Sequence, residues 1–233
     1  MRKVNIIFHD IVKKDVPLSS KYSVKSDFFF NLIDAIESER NKKKINIDIA
    51  IYFDDGYESI HSIIIPILKD IPYSVVAAII SDKLDSPGYI TTRQLLDLYK
   101  AKIKIAAHGV SHSALAVYKN NVLQPTPLRG IYQNTPLGQG DPLSESEIEY
   151  QLVESKRKLE SIINSEIDEF VLPYGLYNNS VVKIFNKAGL YKYLSTCDVG
   201  IDFGQYIKPR LLISNDMELK MIVDNIISIQ NYN

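Results

Sequence analysis

Asp48-Ile49-Ala50-Ile51-Tyr52-Phe53-Asp54-Asp55-Gly56-Tyr57 sets an apolar run directly before two carboxylates and a glycine. Its first six residues form an apolar run rich in β-branched and aromatic side chains, which predicts a buried strand over 48–53. Two adjacent carboxylates then arrive with a glycine, the residue that permits a tight turn into the next element. Downstream, Ile60, Ile63, Ile64, Ile67 and Leu68 recur at helical spacing, so 57–69 reads as a helix with Pro66 near its end. The pattern is therefore strand, acidic turn, helix.

The same alternation continues outward in both directions. Strands are expected at Val4 to Phe8, Ser74 to Ile80, Ile103 to Ala106, Glu169 to Leu172 and Tyr191 to Ser195. Helices are expected at Thr91 to Lys100 with Thr91 as N-cap, and at Ser144 to Ile163, where Ser144-Glu145-Ser146-Glu147 resembles a capping box. Further helices are expected at Asn179 to Ala188, closed by Gly189, and at Met217 to Ile229. About seven βα units argue for an α/β architecture with parallel pairing, as a barrel or an open sheet. Both place their sites at the carboxyl ends of strands.

Three polar clusters fall at such ends. In Asp54-Asp55, neighbouring like charges oppose each other's ionisation unless a cation or an arginine relieves them, so one can ligate a metal and the other act as a base. An isolated Asp-Asp-Gly is also simply an Asx turn capping a helix. His108 and His112, four residues apart after the strand at 103–106, can face one way on a helical turn, as imidazole metal ligands require. Two unrelated histidines remain the plain alternative. The third cluster, Pro173-Tyr174-Gly175, is a turn able to aim backbone N–H groups into a site. Together they offer a carboxylate ligand, two imidazoles, a spare carboxylate and oxyanion donors, a set suited to metal-assisted hydrolysis of an amide or ester.

Composition narrows the classes. Of 233 residues, 45% are apolar, which fits one large domain spanning 1–233. The 27 basic and 28 acidic residues nearly cancel, which argues against a nucleic-acid groove. Lys42-Lys43-Lys44 reads as a solvated loop. The single Cys197 has no internal disulfide partner, so no oxidising compartment is implied. The N-terminal MRKVNIIFHDIV is too short in apolar length and too polar for a signal peptide or a membrane span, giving a cytoplasmic expectation without membrane insertion. Residues 120–142 carry four prolines and three glycines in a long loop insertion able to cover a site, with Arg129 a candidate sugar or phosphate contact.

From about Asn46 to Arg210 these motifs, in this order, resemble the polysaccharide deacetylases, the NodB-like carbohydrate esterase family 4. Pro66-Ile67-Leu68-Lys69, Gly88-Tyr89-Ile90-Thr91 and Gln94-Leu95 add to the likeness. The resemblance implies a distorted (β/α)7 barrel and one divalent ion, zinc first, with cobalt, nickel, manganese or iron as alternatives. It assigns Asp54 as general base, Asp55, His108 and His112 as metal ligands, and the Tyr174 N–H as oxyanion donor. Pro173, Tyr174, Gly175 and Arg129 become substrate-binding candidates.

The chain also departs from the family. Gly109 stands where a Ser or Thr follows the first histidine, and Val171 where many members have arginine. There is no Trp, and no His after Gly189 to serve as general acid. Ile6-Ile7-Phe8-His9-Asp10 resembles that late motif moved to the front, as in the permuted branch similar to poly-N-acetylglucosamine deacetylases, which makes His9 the expected acid. Arg210 is the expected substitute for the missing arginine beside Asp54, and His61 is expected to be an ordinary helical residue. The implied reaction removes an N-acetyl group from an N-acetylated sugar, nucleotide- or lipid-linked, in surface polysaccharide assembly. Deformylation or another amide hydrolysis on the same metal, and a non-catalytic carbohydrate-binding relic, are the rivals.

Overall fold

The computed structural model describes residues 3–44, 48–116 and 143–229, together with the backbone of 118–119 and 122–123. The loop expectation for 120–142, Arg129 included, lies almost wholly outside the described residues. In chain order the strands are β1 (Lys3–Phe8), β2 (Asp10–Val12), β3 (Ser23–Lys25), β4 (Asp48–Phe53), β5 (Ser74–Ile79) and β6 (Lys104–Ala107). They continue with β7 (Tyr118–Lys119), β8 (Val122–Leu123), β9 (Glu169–Val171), β10 (Tyr193–Ser195), β11 (Ile207–Lys208) and β12 (Leu211–Leu212). The helices are α1 (Ser26–Lys43), α2 (Ile65–Ile67), α3 (Thr92–Lys100), α4 (Glu145–Ile163), α5 (Asn179–Ala188) and α6 (Leu219–Ile229).

Eight strands form one sheet in the order β11-β10-β9-β6-β5-β4-β1-β12, with every neighbouring pair parallel. The two edge strands, β11 and β12, are separated in sequence only by Pro209 and Arg210. Three chain steps span at most about 11 Å, so the edges must come that close and the sheet must curl into a barrel with an open seam. Mostly small residues, with Tyr52 the large exception, line the inside of the curl. Ala50, Tyr52, Val76, Ala78, Ala106 and Val171 form an inner cluster, while Ile51, Ala77, Ile105 and Phe170 face outward into the main core with Leu32, Leu95, Leu152 and Ile226 of the helices.

Local signals explain most boundaries. Thr91 with Gln94 and Ser144 with Glu147 form complete capping boxes, and Gly189 ends α5 at φ 60°. The helix expected over 57–69 is broken into a π turn at Ile60–Ile64, the short α2 and a 3-10 turn at Leu68–Asp70. Pro66 sits at the centre of that stretch and removes a backbone donor, which disrupts regular α pairing there. The lysine run is exposed as expected, but Lys42 and Lys43 close α1 and only Lys44, at φ 52°, leaves it. Lysines favour that position because they face the negative end of the helix dipole.

One charged network fills the amino-terminal half of the barrel. Glu169 is fully buried and accepts from Tyr52 Oη at 2.8 Å and Ser195 Oγ at 2.5 Å, while Lys104 and Lys208 each lie 3.0 Å from its other oxygen. Burial works against its ionisation, yet the two ammonium groups and the Ser195 hydrogen bond hold its carboxyl at about 2, below the ordinary 4.5. Glu169→Gln therefore strands the buried Lys208, and urea unfolding at pH 7 is expected to show a loss of about 3–5 kcal/mol. Because the native value is depressed, the wild-type advantage is present above the unfolded value near 4.5 and is lost as pH falls toward 2. Unfolding midpoints that stay parallel between pH 7 and about pH 2.5 would contradict this.

Candidate active site

β4 ends at Phe53, and the chain turns through Asp55 at φ 74° and Gly56 at φ 81°. That turn directs the Asp55 carboxylate toward β6. Asp55 Oδ1 lies 3.4 Å from His108 Nε2 and 3.3 Å from His112 Nε2. It is buried and has no hydrogen bond that satisfies it. His108 follows β6 directly and is buried. Its Nδ1 is 2.8 Å from the Val171 carbonyl, which can only accept, so Nδ1 carries the proton and Nε2 presents its lone pair to the cluster.

The segment from His108 to His112 is a loop rather than the helical turn expected from the spacing. Gly109 has φ 76° and His112 φ 59°, and these left-handed residues bring the two imidazoles to a centroid distance of 4.8 Å. No hydroxyl follows His108, and Gln151 of α4 fixes the loop in its place. Its Oε1 accepts from Val110 N at 2.8 Å and Ser111 N at 3.2 Å, and its Nε2 donates to Ser111 Oγ at 3.2 Å. A Cβ on Gly109 would approach Gln151 Oε1 to 3.1 Å, so a glycine here makes room for that amide. Gln151→Leu removes the loop's partners and is expected to weaken binding of a divalent ion roughly 10–100-fold by metal titration. An unchanged affinity would show that the loop holds itself.

Asp54 stands beside this cluster and is also buried. Arg210, fully buried in the barrel seam, donates from Nη1 to Asp54 Oδ1 at 2.9 Å and from Nε to the Thr196 carbonyl at 2.9 Å. Its guanidinium carbon lies 4.9 Å from the Tyr52 ring centroid, a cation–π contact. Burial opposes ionisation of Asp54, but the charges of Arg210, His108 and His9 outweigh it and hold its carboxyl below the usual range. For His108 burial likewise favours the neutral form, and the adjacent Asp54 and Asp55 carboxylates override it, raising its value. Burial, reinforced by His108, pushes His112 down to about 4, which keeps its imidazole neutral at pH 7.

A cavity of about 470 Å³ opens over these groups, lined by His9, Tyr22, Asp54, Asp55, Tyr57, His108, His112, Tyr174, Gly175 and Cys197 among others. His9 follows β1 and brings a buried Nδ1 that has no hydrogen-bond partner. The 3-10 turn Pro173–Gly175 follows β9 and places Tyr174, at φ 61°, with its ring 4.5 Å from that of His112. Gly175 is required there: at φ 67° a Cβ would meet Cys197 at 2.5 Å. His61 is elsewhere, 3.3 Å from Gln94 and 3.5 Å from Asp97. Gln151 and Tyr22 join the site without any mark in the sequence, since both occupy ordinary helix and loop positions.

Ligand atoms bonded to one ion at about 2.1 Å, with angles near 90–109°, lie about 3.0–3.4 Å apart. The Asp55 oxygen and the two imidazole nitrogens meet that requirement from Asp55, and all three lie within 4.8 Å of one another, the one such group among the described residues. The unsatisfied Asp55 oxygen, the fixed His108 tautomer and the neutral His112 fit a divalent cation of the borderline class.

The profile of the polysaccharide deacetylases matches residues 38–193. A poly-beta-1,6-N-acetyl-D-glucosamine N-deacetylase of Escherichia coli K12 is 24% identical over 207 residues, and the match covers 78% of this chain and 30% of that protein. The chain thus spans less than a third of the length of the curated relatives it matches. Among solved structures, a de-N-acetylase from Aggregatibacter actinomycetemcomitans superposes with a TM-score of 0.74 at 18% identity, covering 97% of this chain and all of the other. The deacetylase PplD of Streptococcus pyogenes, in complex with acetate, gives 0.71 at 17% identity, covering 97% and 98% of the two chains. IcaB from Ammonifex degensii gives 0.70 at 15% identity, covering 95% of each. These likenesses match the curled parallel barrel, and the profile covers 156 of the 233 residues, counted from 38 to 193: the chain belongs to the polysaccharide deacetylase family.

Proposed function

We propose that this chain is a metal-dependent hydrolase that removes the N-acetyl group from N-acetylated amino sugars of a surface glycan or its precursor. The observation that carries this reading is the convergence of Asp55 on His108 and His112 at 3.3–3.4 Å, with the Arg210-paired Asp54 beside them. Family membership and the N-deacetylase activity of the Escherichia coli relative support the acetamide as the bond cleaved.

Asp55, His108 and His112 would hold the ion, zinc by donor preference. When bound, it supplies Lewis acidity to the acetamide carbonyl and lowers the pKa of water. Asp54, kept ionised by Arg210, accepts the proton of the attacking water as general base. The Tyr174 N–H donates to the tetrahedral oxyanion, in the turn that also carries Pro173 and Gly175 toward the sugar. His9, on the cavity wall, protonates the departing amine. The amine of an amide is a poor leaving group, so this proton is needed for the C–N bond to break.

Acetate release from a panel tests the reading. It would contain β-1,6-linked N-acetylglucosamine oligomers, a nucleotide-linked N-acetylated sugar and an N-formylated analogue. Acetate from either acetylated class supports the reading and selects the substrate. Formate alone moves the activity to deformylation, and no release from a metal-loaded protein favours the binding relic. Among the described residues no helix is long and apolar enough to cross a membrane.

A further inference from the structure

Part of the cavity wall is made by the turn around Ser19–Ser23, which contributes Ser19, Ser20 and Tyr22 to the lining. Its chemistry is set by what holds it. Asn215, in the loop between β12 and α6, spends all three of its N–H donors on this turn. Its backbone N–H donates to Lys21 O at 2.9 Å, and its side-chain Nδ2 donates to Ser20 O at 2.8 Å and Ser23 O at 3.1 Å. With the carbonyls on both sides of Tyr22 fixed, the Tyr22 ring is laid against His9, centroids 5.0 Å apart at an interplanar angle of 29°. His9 has no hydrogen bond at its buried Nδ1. The ring stack is therefore what the structure offers to fix the imidazole orientation.

We propose that Asn215 is a positioning residue for His9, acting through Tyr22, so that the imidazole faces the departing amine. The proposal rests on the reading of His9 as proton donor. Asparagine suits the position because its short amide presents two donors in one plane next to its own backbone N–H. An aspartate here would turn carboxylate oxygens toward two carbonyls, and an alanine would leave only the backbone bond.

The leaving group distinguishes a proton-donor role from a structural one. An amine needs protonation to depart, whereas a nitrophenolate does not. The experiment compares kcat/KM for an N-acetylglucosamine oligomer with that for 4-nitrophenyl acetate, in wild type, Asn215→Ala, Tyr22→Phe, Tyr22→Ala, His9→Ala and His9→Ala/Asn215→Ala. The amide-to-ester ratio is expected to fall roughly 10–100-fold in Asn215→Ala and Tyr22→Ala and to stay near wild type in Tyr22→Phe, which keeps the ring. In the His9→Ala background, Asn215→Ala is expected to add nothing. Equal losses on both substrates, or additive losses in the double variant, overturn the proposal while wild-type acetate release still supports the deacetylase reading. Wild-type amide turnover by His9→Ala overturns the proton-donor assignment, and this proposal with it.

Discussion

Asp54→Asn is expected to bind its divalent ion normally and to lose activity on N-acetylated sugars by about 10²–10⁴-fold, almost all of it in kcat. The substitution keeps the shape of the side chain and an oxygen that can accept from Arg210 Nη1, now at 2.9 Å. It removes the basic lone pair that takes a proton from water. The metal-type cluster uses Asp55, so the ion should remain when Asp54 is neutral. Acetate release measured beside metal content separates the two roles. Turnover close to that of wild type would move the base elsewhere, and loss of the ion would show that Asp54 is itself a ligand.

The second large effect is expected at Arg210. It is wholly buried, and its charge is matched by the equally buried Asp54. Arg210→Met leaves an uncompensated carboxylate in the barrel, for which about 3–5 kcal/mol of lost stability is expected. Neutralising both groups, in Asp54→Asn/Arg210→Met, should cost less than the sum of the single changes, because no stranded charge remains. The pH profile moves as well. Arg210 is the main attraction holding the Asp54 carboxyl low, so its loss raises that value and the acid limb of kcat/KM shifts to higher pH. An additive double variant and an unmoved acid limb would contradict the pairing.

Sequence patterning carries the central strands and the well-capped helices, because their signals are local. Ile49 to Phe53 is an uninterrupted apolar run, and Thr91 and Ser144 each announce a helix with a capping residue three positions ahead of Gln94 and Glu147. Helix α1 lacks such a signal. Its buried stripe, Phe29, Leu32, Ile33 and Ile36, begins inside the run Phe28-Phe29-Phe30 and stops at Ile36, and the last turns are dominated by charge. The two-residue strands β11 and β12 are equally invisible, since their pairing depends on the barrel's closure and on nothing local.

The site shows the same division. Asp54, Asp55, His108, His112 and Tyr174 sit at strand ends, where motif and topology agree, and the structure gathers them around one cavity. His9 and Arg210 are brought in by the curl: β1 lies next to β4 in the sheet, and the seam residue Arg210 reaches across to Asp54. Gln151 takes over the loop-fixing role that Gly109 vacates, from 40 residues or more away in sequence. Such substitutions across space leave no trace in a single sequence.

On the proposed function, Asp55, His108 and His112 form a metal site on which hydrolysis depends. Elemental analysis of the purified protein, for wild type and His108→Ala, tests it most directly when paired with acetate release from N-acetylglucosamine oligomers. About one divalent ion per wild-type chain is expected, with its loss in His108→Ala and acetate from the wild type alone. A wild-type protein that takes up no ion after incubation with zinc, cobalt or manganese, or a His108→Ala protein that keeps both ion and turnover, would contradict it.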